Sequence, residues 1–132
     1  MNVQVRIARG DDVLATIWDE ALHAPFNPDQ VLVAEDDGKL VGGLIFVDGG
    51  HPMIVVENVR IHASGRRKLT IFKQLISALF SYARARGAVL FEWMSPDNAF
   101  TAMLLRAGCK PASVYHYLVR EVTSPLPWEH HA

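Results

Sequence analysis

Cysteine is almost missing from this chain: Cys109 is the one thiol among 132 residues. A single thiol can neither close an intramolecular disulfide nor build a Cys-based zinc cluster. No apolar run approaches the ~20 residues of a membrane-spanning helix, and no basic patch followed by an apolar stretch opens the chain. The six histidines, His23, His51, His62, His116, His130 and His131, show neither HxxxH nor HExxH spacing, which argues against a metal site. Internal repeats, low-complexity segments and a second-domain linker are lacking too. In bulk the chain is ordinary, half apolar and a fifth charged. That is enough to close one hydrophobic core. The expectation is a soluble, cytoplasmic protein of one domain.

Acids are missing as well, but only locally. Residues 1–57 carry ten acids and three bases, residues 58–91 seven bases and no acid, and residues 92–132 four acids and three bases. A net charge of −1 therefore hides an acid-free basic block. Such a block is a solvated face, a nucleic-acid footprint or a small-anion site. Few aromatics are interleaved with its bases, which disfavours nucleic acid.

Val3–Ile7 alternates as a short strand. Asp11 or Asp12 can cap a helix carrying Val13, Leu14, Ile17, Trp18 and Ala21 on one face, stopped by Pro25 and Pro28. Val31–Glu35 and Leu40–Val47 are β-branched runs joined by Asp36-Asp37-Gly38-Lys39, a hairpin signature. Gly49-Gly50-His51-Pro52 makes the next turn, and Met53–Ile61 follows as a third strand of an antiparallel meander. The period then becomes helical: Phe72, Leu75, Ile76, Leu79, Phe80 and Ala83 share one face of a helix from about Lys68 to Arg86, ended by Gly87. Val89–Trp93 reads as a central strand. Ser95-Pro96-Asp97-Asn98 starts a helix that runs to Arg106 and stops at Gly108, and Ser113–Val122 is the last strand. Residues 1–122 then form the domain, and residues 123–132 a loosely docked tail.

This order, with the residues at its joints, resembles the GCN5-related N-acetyltransferase (GNAT) family over about residues 3–122. The segment from Lys68 to Gly87, with Leu75-Ile76, Leu79-Phe80 and Ala83-Arg84-Ala85-Arg86-Gly87, matches the family's coenzyme helix in spacing. Val31–Phe46 looks like its second and third strands, and Asn98 with the helix ending at Gly108 looks like the segment after its fifth. The resemblance implies an α/β (α+β) fold: a mixed central sheet of about six strands with flanking helices. After Gly108 there is room for one good strand where the family usually has two. A homodimer or the Trp128 tail is expected to cover the edge so exposed.

The resemblance also implies acetyl-coenzyme A as co-substrate and an amine as acceptor, with no metal. The family's Arg/Gln-x-x-Gly-x-Gly/Ala phosphate loop falls on Arg67 to Phe72. Arg67 matches, while Thr70 and Phe72 stand where the family has glycines. The implied coenzyme contacts are Arg66, Arg67, Lys68, Thr70 and Asn98, with the backbone near Val59 and Ile61 supporting the thioester oxyanion. Three cations at a helix N-terminus oppose the helix dipole, an arrangement that makes sense with an anion among them. Glu57 interrupts an apolar strand, and burial there would make it a stronger base for the amine proton. It equally fits the polar face of an alternating strand, or a pair with Arg60.

The family's tyrosine acid corresponds to Leu104, which has no proton to give; Tyr115, Tyr117 and Ser95 are the substitutes in view. Cys109 reads as a small core residue. The short stretch before Val31 leaves an acceptor site open enough for a protein terminus or a lysine. A second reading stays open beside the enzyme: a catalytically degenerate fold acting as a binding or structural module, for example in a phage or multiprotein assembly.

Overall fold

The computed structural model describes residues 2–18, 28–48, 53–93, 98–111 and 118–129. Their elements are β1 (Val3–Ile7), α1 (Ala15–Trp18), a 3-10 turn (Pro28–Gln30), β2 (Val31–Asp36), β3 (Lys39–Asp48), β4 (Met53–Ile61), α2 (Gly65–Ala85), β5 (Leu90–Trp93), α3 (Asn98–Arg106), β6 (Lys110–Pro111) and β7 (Leu118–Glu121). They build one mixed sheet in the order β1-β2-β3-β4-β5-β7-β6. The β4–β5 pair is parallel and every other pair antiparallel. The fold is the expected α+β one, with a seventh strand of two residues.

The β2–β3 turn uses Asp37 and Gly38, both at positive φ (51° and 82°). That is the conformation Asp-Gly favours in a two-residue hairpin. α2 buries Ile71, Phe72, Leu75, Ile76, Leu79, Phe80 and Ala83 against the sheet, the stripe its 3.6-residue period foretells. Both long helices end alike. Gly87 and Gly108 take φ of 75° and 97°, and the next residue's N–H returns to the carbonyl five positions back, Ala88 to Ala83 and Cys109 to Leu104. Glycine reaches that left-handed turn without a Cβ clash.

The two faces of the sheet carry unequal cores. α2 and α3 cover one face with the main cluster, in which Phe72 stacks on Phe100 at 4.2 Å between centroids and meets Trp93 edge-on. On the other face α1 brings Ile17 and Trp18 onto Val31 and Val33. Trp18 lies so close to β3 that a Cβ on Gly43 would stand 2.5 Å from its Cη2.

Several expectations change. α1 begins at Ala15, and Val13, expected on its apolar face, is 63% exposed. Asp12 is no helix cap: its two oxygens take both terminal nitrogens of Arg6 at 2.8 and 2.9 Å, and one of them also accepts the Arg9 N–H. The chain after β7 is anchored, not loose. Arg84 donates to the Val122 and Ser124 carbonyls and grips Glu129 with both terminal nitrogens, Arg120 reaches the Ser124 and Pro125 carbonyls, and the Trp128 indole donates to Ser77 on α2. Trp128 thus covers α2 and not the sheet edge, where Lys110 and Pro111 pair with β7. The turn at 49–52 and the start of the last expected strand, residues 113–117, lie outside the described residues.

Two outcomes follow from this packing. Gly43→Ala forces a methyl against the buried Trp18 ring and should cost about 1–3 kcal/mol in chemical denaturation; unchanged stability would contradict the contact. The Arg6 guanidinium holds the Asp12 carboxyl down from 3.8 to about 2. Because the folded value is the lower one, the stabilisation is complete above the ordinary value and fades as pH falls toward about 2. Acid unfolding of Asp12→Asn should lack that component, and a profile identical to the parent's would refute the assignment.

Candidate functional site

β4 pairs with β3 along most of its length, but with β5 only from Met53↔Leu90 to Val56↔Trp93. Beyond Val56, residues Glu57 to Ile61 have no β5 partner among the described residues. The described pairing stops at Trp93, because residues 94–97 lie outside the described residues. A bulge marks the place: Val56 faces Phe46 and Asn58 faces Ile45, so Glu57 is the extra residue. Ile54 and Val56 point to the α2 core before it, and Val59 and Ile61 after it. Glu57 and Asn58 therefore both lie on the other face, toward α1.

Asn58 and His62 tie that face to α1. The buried Trp18 indole donates to Asn58 Oδ1 at 3.0 Å, and His62 Nε2 stands 2.7 Å from the Ile17 carbonyl. This holds the helix over the end of β4. Glu57 is exposed, which fits the polar-face reading and not the buried base, and it forms no ion pair with Arg60 or any other described residue. Val59 and Ile61 turn their side chains into the core, leaving only backbone for a ligand.

Three residues after β4, α2 begins at Gly65, one turn of the chain ahead of the expected start. Arg66, Arg67 and Lys68 are thus inside its first turn. No acid accompanies them, and the N-cap Ser64 supplies no side-chain acceptor. The first N–H groups of α2 therefore keep their partial positive charge open toward solvent. Lys68 sets its ammonium 5.1 Å from the Phe100 ring centroid. Arg67 Nη2 donates to Asp36 Oδ2 at the end of β2. Thr70 is exposed, its hydroxyl bonded to the Arg66 carbonyl. Phe72, expected to stand at a glycine position of the phosphate loop, points away from this corner and is fully buried. It fills the core and does not crowd the helix start.

Beside Arg67 opens a groove of about 810 Å³ between the α1 entry, the β2–β3 hairpin and the end of β4, lined by Asp12, Thr16, Asp36, Lys39, His62 and Arg67. Leu104, expected at the position of the proton donor, is fully buried. Cys109 is buried too, and burial pushes its thiol up to about 11, so it stays protonated at neutral pH and is no nucleophile. Asn98 opens α3, and its side chain, like Ser95, Tyr115 and Tyr117, lies outside the described residues. No metal-binding cluster occurs among the described residues, and no described helix is long and apolar enough to cross a membrane. The Asp36 partner of Arg67 was missed in the sequence because nothing local links a hairpin acid to a helix start 31 positions on.

The profile described as the acetyltransferase (GNAT) family matches residues 7–108. The chain belongs to that family. Among solved structures it resembles N-acetylglutamate synthase from Neisseria gonorrhoeae complexed with coenzyme A and N-acetyl-glutamate, with a TM-score of 0.75 at 17% identity. The match covers 94% of this chain and 36% of that one, so this chain spans about a third of that relative's length. It also resembles an N-acetyltransferase from Staphylococcus aureus Mu50 (TM-score 0.68, 18% identity, 93% of this chain and all of that one). The ribosomal-protein-S18-alanine N-acetyltransferase of Escherichia coli is similar in fold at 11% identity (TM-score 0.68, 98% of this chain and all of that one). No curated protein matches the chain in sequence.

Phe72 shows that the family glycine cannot simply be restored here. Phe72→Ala should destabilise the fold by about 3–5 kcal/mol, and Phe72→Gly by more, since glycine weakens a helix interior. Urea denaturation reads both. A loss below about 1 kcal/mol would mean that the ring is not the packing element its contacts describe.

Proposed function

We propose that the protein transfers an acetyl group from acetyl-coenzyme A to an amine by direct attack. The observation that carries this reading is the start of α2, with Arg66, Arg67 and Lys68 in its first turn and no side-chain cap on its N–H groups. In this reading an extended pantetheine arm adds to the β4 edge beyond Val56 as a short strand would, with its phosphates at the first turn of α2. Arg66, Arg67 and Lys68 supply charge there, and the uncapped N–H groups supply donors.

In this arrangement the backbone near Val59 and Ile61 donates to the thioester carbonyl as negative charge develops on its oxygen. Glu57, held toward the α1 face by the bulge, takes the proton of the ammonium. The freed amine forms the new C–N bond as the C–S bond breaks; the nitrogen then releases its surplus proton to water, and the departing thiolate takes a proton from water, because Leu104 has none to give. Glu57 is well placed for a base that must meet an acceptor arriving from solvent. An alanine terminus or a lysine side chain on a large partner suits that approach.

A buried leucine at the acid position also favours the second reading, a catalytically degenerate fold acting as a binding or structural module. One set of measurements separates the two. Calorimetric titration of coenzyme A and acetyl-coenzyme A should show binding with a dissociation constant below about 1 mM. Glu57→Gln should then lower kcat with a peptide amine by about 100-fold or more while leaving acetyl-coenzyme A affinity unchanged. Binding without turnover in the parent protein, or no binding at millimolar ligand, would end the enzyme reading and favour the module.

A further inference from the structure

Among the described residues, Arg67 alone of the three cations in the first turn of α2 pairs with a carboxylate. Asp36 closes β2, and the Asp37-Gly38 turn brings it against the helix start, where Arg67 Nη2 donates to Asp36 Oδ2. Arg66 has no ion pair among the described residues, and Lys68 lies over Phe100. Asp36 and Arg67 both line the groove beside the hairpin. Released from its carboxylate, the arginine has that space to turn into.

We propose that Asp36 sets the affinity of this corner for phosphate-bearing ligands by competing with them for Arg67. The inference rests on the coenzyme reading above and concerns the same site. An arginine can hold a phosphate with two parallel N–H bonds, whereas Asp36 takes one. The pair is also partly open to water, at 46% exposure for the arginine side chain and 21% for the carboxylate. Such a pair is weak enough to yield to a phosphate and strong enough to tax it. Paired in this way, Asp36 neutralises Arg67 beside a positive helix terminus. With the ligand present, the phosphate takes the guanidinium and Asp36 turns to solvent.

The test compares coenzyme A binding by calorimetry across a small set of variants. Asp36→Asn should bind about two- to fivefold more tightly than the parent, the range expected for releasing one exposed ion pair. Asp36→Ser should do the same, which covers the case of an asparagine oxygen that still accepts from Arg67. Asp37→Asn removes the same charge one residue along without touching Arg67, and should gain less than half as much. Arg67→Gln should weaken binding, and adding Asp36→Asn to it should restore nothing.

Parent-like or weaker binding by both Asp36 variants overturns the proposal. So does an equal gain from Asp37→Asn, which would reduce the effect to net charge, or a gain that survives in the Arg67→Gln background. Binding by the parent with no Asp36 effect leaves the coenzyme reading standing and removes only this inference. Absence of binding in every protein removes both.

Discussion

The structure turns on the pairing of β4 with its neighbours. To β3 it is paired from Ile54 to Ile61, apart from one bulge, and to β5 the described pairing runs from Met53 to Val56. The bulge at Glu57 reverses which residues face the core, so that the polar pair Glu57 and Asn58 appears on one side while Val59 and Ile61 pack against the core on the other. A single extra residue thus supplies an exposed carboxylate and, beside it, an anchor for Trp18.

α2 reconciles two demands that compete for the same residues. Its apolar stripe has to fill the space between sheet and α3, and Phe72 does so by stacking on Phe100 under Trp93. Its N-terminus has to stay open to solvent and basic. Beginning the helix at Gly65 satisfies both, because it puts Arg66, Arg67 and Lys68 at the exposed end and turns Phe72 inward. The apparent conflict between a phenylalanine and a phosphate corner belongs to the linear motif, in which positions 67 and 72 look adjacent. On a helix they point in different directions.

Much of this was legible in the sequence where the signal is local. The stripe from Phe72 to Ala83, the Asp-Gly hairpin and the stops at Gly87 and Gly108 each follow from periodicity or from a backbone angle that only certain residues tolerate. The acid-free block around Arg66 also survives as a basic corner. Glu57 stands out for breaking an apolar run, but the sequence leaves a buried base and a polar-face residue both open, because a bulge shifts the alternation on which a burial estimate depends. Asp12 looked like a cap from its place before a helix, but a nearby arginine on β1 outbids the helix for its oxygens. The tail looked loose from its prolines, and two arginines distant in sequence pin it.

The amino-acid sequence by itself determined the element order, the faces of the long helices, the turn conformations and the placing of charge along the chain. These depend on neighbours within a few residues, where spacing translates directly into direction. Only the tertiary structure decided that Asp36 meets Arg67, that Trp18 rests on Gly43, and that the Trp18 indole donates to Asn58. Each of those joins segments far apart in the chain, and their meeting is set by sheet order and register, which no local pattern encodes.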